Sequence, residues 1–310
     1  MAKTVKKTLL LAKLQTVAGT DAAPTAAANA ILLRNVTATP ISAEYAERAL
    51  LRPYMGNSGE IVTTQYAQIE GEVELAGSGE AGKVPAWGPL MRACGFAETV
   101  TAGDSVVYTP VSSDFELITL HYYLDGLFHK IVDARGTVSF DISAKGIPFM
   151  RYRFLGAYSP IKDQAMPTGV DYKAFQTPVS ADKRNTPEWS LAGYSGCVQS
   201  LSFDIANQLE WRALINCEGA EITDRQPIGK AVLELPRIAD LDWPAMVLSA
   251  AQHHISVTHG VKPGNIVTIS APSAQLKNPT YSDDNNIAML NLDFNVNPGV
   301  GNDELEIKVA

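Results

Sequence analysis

The sequence predicts a mainly β chain: two tandem antiparallel β-sandwich or barrel modules, each with one flanking α-helix. Segments with strand chemistry far outnumber helical ones and are separated by Gly, Pro and Asn clusters. The strand pattern over 68–76 alternates, with Ile69, Gly71, Val73 and Leu75 on one side and Glu70, Glu72 and Glu74 on the other. Alternation means one dry and one wet face, unlike a parallel sheet buried on both. The second half then repeats the first at a near-constant offset.

In chain order, residues 1–30 are Lys-rich, then Ala- and Thr-rich, and read as an extended arm with no core face of its own. Strand patterns follow at 31–40, 60–64 and 68–76, punctuated by Pro53, the Gly-Asn-Ser-Gly run 56–59 and the glycine loop 77–84. Segment 84–96 reads as a helix: Pro85 and Pro89 suit its first turns, Trp87, Leu90, Met91 and Cys94 share a face, and Gly95 stops it. Strands return at 105–109, 116–123, 126–134, 136–142 and 148–156, with Asp125-Gly126 as a tight hairpin turn. Residues 159–192, with Pro160, Pro167, Pro178 and Pro187, read as a linker or long loop. The expected organisation is an arm over 1–30, a module over 31–158, a linker over 159–192 and a second module over 193–310.

The repeat supports that division. At an offset of 160, Arg52 falls on Arg212, Gly59 on Gly219, Val62 on Ile222, Thr63 on Thr223 and Glu74-Leu75 on Glu234-Leu235. The helix 87–91 matches 243–247 at an offset of 156, Val106-Val107 matches Ile266-Val267, 138–142 matches 290–294 and 150–154 matches 305–309. Trp87, Leu90, Trp243 and Met246 are the expected core contacts of the two helices.

Composition narrows the function. The 310 residues carry 25 Lys and Arg against 33 Asp and Glu, a net charge of −8, which makes the chain a poor candidate for wrapping nucleic acid. No stretch approaches the ~20 apolar residues that span a bilayer, and the run Thr8-Leu9-Leu10-Leu11-Ala12 is too short for a signal peptide. Cys94, Cys197 and Cys217 are odd in number and widely spaced, so they read as free thiols.

Motifs that could carry chemistry are weak. Gly77-Ser78-Gly79-Glu80-Ala81-Gly82 spells a dinucleotide fingerprint, but its preceding strand has a charged wet face, Glu80 would occupy the anion site and the second half lacks the glycines. Gly193-Tyr194-Ser195-Gly196-Cys197 lacks the fifth-position glycine of a nucleophile elbow. His121, His129, His253, His254 and His259 complete no ligand spacing, and Asp283-Asp284-Asn285-Asn286 lacks the terminal Glu of a calcium loop. No enzyme, metal or cofactor is indicated. Tandem modules, a long arm and long loops instead suit a self-assembling structural protein, because segments without a core need a neighbour to lie on.

The stretch 10–24 (LLAKLQTVAGTDAAP), the segment 29–36, the helix Trp87-Gly88-Pro89-Leu90-Met91-Arg92-Ala93-Cys94-Gly95-Phe96 and the strands over 120–142 resemble major tail tube proteins of long, flexible-tailed (siphovirus-type) bacteriophages. The resemblance covers most of 8–156 and extends more weakly over 197–309 through the repeat. It implies the tail-tube fold, in which inner sheets of neighbouring subunits join into a barrel around a lumen and rings stack through arms and loops. Most members have one module and form hexamers, so two modules imply three chains per ring with pseudo-sixfold symmetry. A hexamer decorated by the second module is the competing arrangement. Other classes are a different virion β-protein (capsid decoration or tail terminator and connector) and a soluble ligand-binding β-domain.

The resemblance further implies a place in the virion tail after assembly in the host cytoplasm, and no membrane or cofactor. Its implied partners are other copies of the chain, a tape measure protein in the lumen, terminator and distal tail proteins at the ends, and genomic DNA in transit. Glu70, Glu72, Glu74 and Glu234 are candidates for the lumen wall; the outer surface or a subunit joint is the equal alternative. Candidate ring-stacking contacts are Lys13, Asp21 and Pro24 of the arm and Gly77, Gly79, Glu80 and Gly82 of the loop. Deleting 2–25 is then expected to leave a folded chain that fails to polymerise.

Overall fold

The computed structural model describes residues 2–310. The first half runs through β1 (Thr8–Leu14), β2 (Ala30–Ile31), β3 (Arg34–Glu47), β4 (Glu60–Glu74), α1 (Gly88–Ala93), β5 (Phe96–Thr101), β6 (Ser105–Pro110), β7 (Ile118–Leu124), β8 (Leu127–Ser143), β9 (Phe149–Tyr158) and β10 (Lys162–Asp163). The second runs through β11 (Glu188–Leu191), β12 (Val198–Asp204), β13 (Asn207–Leu214), β14 (Cys217–Arg225), β15 (Ile228–Glu234), α2 (Trp243–Ser249), β16 (Gln252–His259), β17 (Val267–Asp284), β18 (Ile287–Val296) and β19 (Glu306–Val309). The chain is mainly β, and its strand pairings are antiparallel.

In the first half the strands lie in the order β1-β7-β8-β9-β4-β3. In the second they lie in the order β11-β16-β17-β18-β15-β12. The halves fuse where β12 pairs with β8, from Ser200↔Ser143 to Asp204↔Ser139, so one sheet runs unbroken from β3 to β17. β19 pairs with both β17 and β6, tying the end of the second half to the first.

The irregularities repeat as well. One extra residue, Thr63, sits between the pairs Glu44↔Thr64 and Tyr45↔Val62; one extra residue, Thr223, sits between Gln208↔Asp224 and Leu209↔Ile222. β8 slips by one residue between its partners Ile118 and Leu120 on β7, and β17 slips likewise between His253 and Ile255 on β16. Such bulges bend the bulged strand and sharpen its twist.

A single apolar core spans both halves, from Leu10, Leu90, Phe96 and Phe140 to Phe203, Leu233, Phe294 and Ile307. Alternation explains it: β9 buries Met150, Tyr152 and Phe154 while Arg151 and Arg153 point to solvent.

Four expectations need correction. Residues 8–14 do not belong to an arm: β1 pairs along its length with β7, with Leu10 and Ala12 in the main core and Leu9 and Leu11 in a second cluster roofed by Met166 and Tyr172. An apolar run too short for export is long enough for a strand buried on both faces. Segment 159–192 is no free linker, since those two roofing side chains come from it and its end, β11, pairs with β16.

The helices span 6 and 7 residues, and α1 is much shorter than the segment 84–96 that reads as helical. Pro85 and Pro89 lack the N–H that would carry a helix back through 84–87, and Gly95 at φ +81 ends α1. Helices this short persist through packing rather than propensity. Finally, by place in the sheet β17 stands where β8 stands and β18 where β9 stands, so the likeness of 138–142 to 290–294 and of 150–154 to 305–309 does not follow strand order.

Candidate functional site

The wet face of the continuous sheet carries an ordered row of charge. Across the first half the register runs Thr37, Glu70, Arg153, Thr137; across the second it runs Ser202, Lys230, Asp293, Lys277. The two rows match in position, and their central pair is reversed in sign. Ser139, Asp141, Arg151 and Asp204 join Lys230, Lys277 and Asp293 around a shallow trough where the halves meet. Burial raises the Asp204 carboxyl above its ordinary range, against the opposing Ala206 N–H and the nearby Arg153 charge. The row Arg151, Arg153, Lys230 and Lys277 is absent from the sequence-derived candidates, although the alternation Met150-Arg151-Tyr152-Arg153-Phe154 signals two of them.

The four candidate carboxylates fall in different surroundings. Glu70 and Glu234 are exposed, and Glu74 is half-buried. Glu72 is only 5% exposed, which overturns its reading as a free wet-face acid. It accepts from Arg34 Nε at 2.9 Å, Asn35 Nδ2 at 2.7 Å and Arg151 Nη2 at 2.8 Å. Burial pushes its carboxyl up, but these donors outweigh burial and hold it below the ordinary glutamate range. Arg34 and Arg151 also stack on Phe149, their guanidinium carbons 4.4 and 5.8 Å from the ring centroid. The cluster bolts β3 to β4 and β9, next to the sheet's open edge.

Among the described residues, both ends of the sheet that runs from β3 to β17 leave an edge without a partner strand. β3 pairs only with β4, and the 276–284 part of β17 pairs only with β18. Thr280, Tyr281, Ser282 and Asp283 are exposed there, whereas Phe140 and Ile142 on β8 are covered. Such edges present free N–H and C=O groups. Beyond β3, the distal hairpin over 42–64 leaves Tyr45, Ile61 and Val62 exposed, with Leu51 and Met55 at its tip.

The second hairpin, β13–β14, is seated. Trp211 stacks on Tyr66 at 5.8 Å and its Nε1 donates to Thr64 Oγ1 at 2.8 Å. Arg135 on β8 pairs with Glu221 and donates to the Ala220 carbonyl at 2.8 Å. Asn207 Nδ2 donates to the carbonyls of Cys94 and Gly136 at 2.7 and 3.0 Å. Its tip, Leu214-Ile215, remains exposed.

The proposed stacking residues are largely occupied inside the protomer. Asp21 receives His121 Nε2 at 3.0 Å and lies 3.6 Å from Lys130 Nζ; burial raises its carboxyl, but the Ala23 N–H and these two groups lower it further. Pro24 is buried and Lys13 exposed. Gly77 donates to Asn265 Oδ1 at 2.5 Å and Gly79 to the Gly264 carbonyl at 2.8 Å, so the glycine loop clasps the second half. A Cβ on Gly82 would lie 2.3 Å from Gly103 N, while Glu80 is exposed. Close backbone approach, not mobility, is what these glycines serve. Trp87 and Leu90 are 1% exposed, with Trp87 Nε1 on the Ala76 carbonyl at 2.8 Å. Trp243 and Met246 are partly buried against the same core.

None of the described helices is long and apolar enough to cross a membrane. No curated protein matches the chain. A family model described as phage tail tube protein matches residues 6–296, nearly the whole length. The chain therefore belongs to that family: it is a structural, non-enzymatic component of the virion tail that assembles into a tube.

Proposed function

We propose that this tail tube protein contains two tandem copies of one tube module, and that three chains close each ring with pseudo-sixfold symmetry. The supporting observation is the repeated strand order, together with bulged residues Thr63 and Thr223 that stand at the shared offset of 160. On this reading the units begin at β1 and β11, so the first covers 8–158 and the second 188–310. A heterologous joint repeated through a rotation that divides the circle evenly closes into a ring, and the β8–β12 seam supplies half of the joints inside the chain.

Stacked rings form the conduit for DNA ejection of a siphovirus-type tail. The wet face from β3 to β17 lines the channel, where the tape measure protein lies before DNA passes; terminator and distal tail proteins cover the ends. A wall that alternates Glu70 with Arg153 and Lys230 with Asp293 offsets each phosphate-attracting cation with a neighbouring carboxylate. Duplex DNA then slides without being held. Electron cryomicroscopy of assembled protein tests the reading. Threefold rings with six similar lobes around an axial hole are expected; six whole chains per ring, or particles without a hole, would overturn it.

A further inference from the structure

The two unpaired edges and the unseated hairpin have counterparts inside the chain that are already paired and seated. β12 stands to β15 as β3 stands to β4: Phe203 opposite Gly229 and Ser202 opposite Lys230 correspond to Ala38 opposite Ile69 and Thr37 opposite Glu70. β8 and β17 share their slip on the preceding strand, which sets Ala134 against Ala274; β9 and β18 then correspond at an offset of 140. β17 has one further slip, between Lys277 and Thr280, which places Thr280, Tyr281 and Ser282 where Ser139, Phe140 and Asp141 stand on β8.

Within the chain, Ser202, Phe203 and Asp204 pair with Asp141, Phe140 and Ser139. Carried to the free edges, this seam specifies its own external copy. We propose that β3 of one protomer adds antiparallel to β17 of the next, with Thr37 opposite Ser282, Ala38 opposite Tyr281 and Thr39 opposite Thr280. This rests on the two-module reading above and deepens it by naming the contact surface and its register.

The unsatisfied features of the free protomer support the pairing. Tyr281 is 65% exposed where its counterpart Phe140 is 1% exposed beneath the β12 seam. The same register brings Arg34 toward Asp283 and Asp284 at the end of β17, so charge is complementary at the joint. The hairpin follows: Ile222, which lies against Gly95 just after α1, has Val62 as its counterpart. Val62 is thereby directed at the end of the neighbour's α2, where Leu248 is 87% exposed. Pairing removes both open edges and covers these side chains together.

The test uses the full chain in a Cys197→Ser, Cys217→Ser background. Directly opposed residues on antiparallel strands have Cα atoms about 4.5–5.5 Å apart, within disulfide reach. Thr37→Cys with Ser282→Cys should convert most of the assembled chain to disulfide-linked multimers under mild oxidation. Ala38→Cys with Ser282→Cys, on opposite faces, should not. Mixing chains that carry only Thr37→Cys with chains that carry only Ser282→Cys should give dimers alone.

In the unsubstituted protein, amide exchange over 34–39 and 280–284 should slow at least tenfold on assembly. Tubes that form with neither crosslink nor slowed exchange overturn the register while leaving the ring intact. Threefold rings absent from the assembled protein overturn the two-module reading itself.

Discussion

Replacing Glu72 by Gln removes the charge that three donors converge on while keeping the shape. The carboxylate accepts four hydrogen bonds from Arg34, Asn35 and Arg151 at 2.7–3.2 Å. Breaking a fully buried pair costs about 3–5 kcal/mol. The side chains of Arg34 and Arg151, however, are 36% and 58% exposed and regain water once released. The expected loss is therefore about 2 kcal/mol at pH 7, or about 3 °C in Tm for a chain of this size.

The sign of the pH dependence follows from the depressed carboxyl. Its stabilisation is complete above the pKa of an unfolded glutamate, ~4.3, and is lost as pH falls through the lower folded value. Thermal unfolding of both proteins between pH 3 and 8 measures this. The gap should be widest near neutrality and shrink in acid. A variant within about 0.5 kcal/mol of the parent at pH 7, or a gap that widens in acid, refutes the assignment of Glu72 as the bolt of β3.

Two further outcomes are expected. Removing residues 2–7 should leave a soluble chain with a cooperative melt, whereas removing 2–25 takes away β1 and its core side chains and should give insoluble protein, as sedimentation of lysates would record. Gly77→Ala should cost at least about 2 kcal/mol in denaturant unfolding, because its Cβ would lie 2.2 Å from the Gly264 carbonyl oxygen and that loop must shift.

The fold class was legible because alternation is a local property, and 68–76 and 148–156 display it residue by residue. The hairpins were legible only in part: Thr63 and Thr223 both stand at a bulge, whereas the register puts Arg212 where Arg48 stands and not where Arg52 does. What stayed hidden depended on distant partners. Nothing local distinguishes Glu72 from Glu70; only Arg34 and Arg151, brought alongside by β3 and β9, withdraw one of them from water. The run at 8–12 reveals its role only when β7 supplies a strand beside it. The glycines at 77–82 have the composition of a flexible loop, and what fixes them is the carbonyl of a residue nearly two hundred positions away.

The surplus residue in the distal part of each hairpin, Thr63 in one and Thr223 in the other, separates two properties that are usually linked. Deleting Thr63 would leave Tyr45 facing Val62 and Glu44 facing Thr64, so the zipper of pairs and the sidedness of every side chain survive. What disappears is the local wrench in the ribbon, and with it the direction in which the far end, from 48 to 59, is aimed. One codon thus steers a long lever without rewriting its contacts, and lineages of such proteins could alter the reach of their projections by insertion or loss at that point alone.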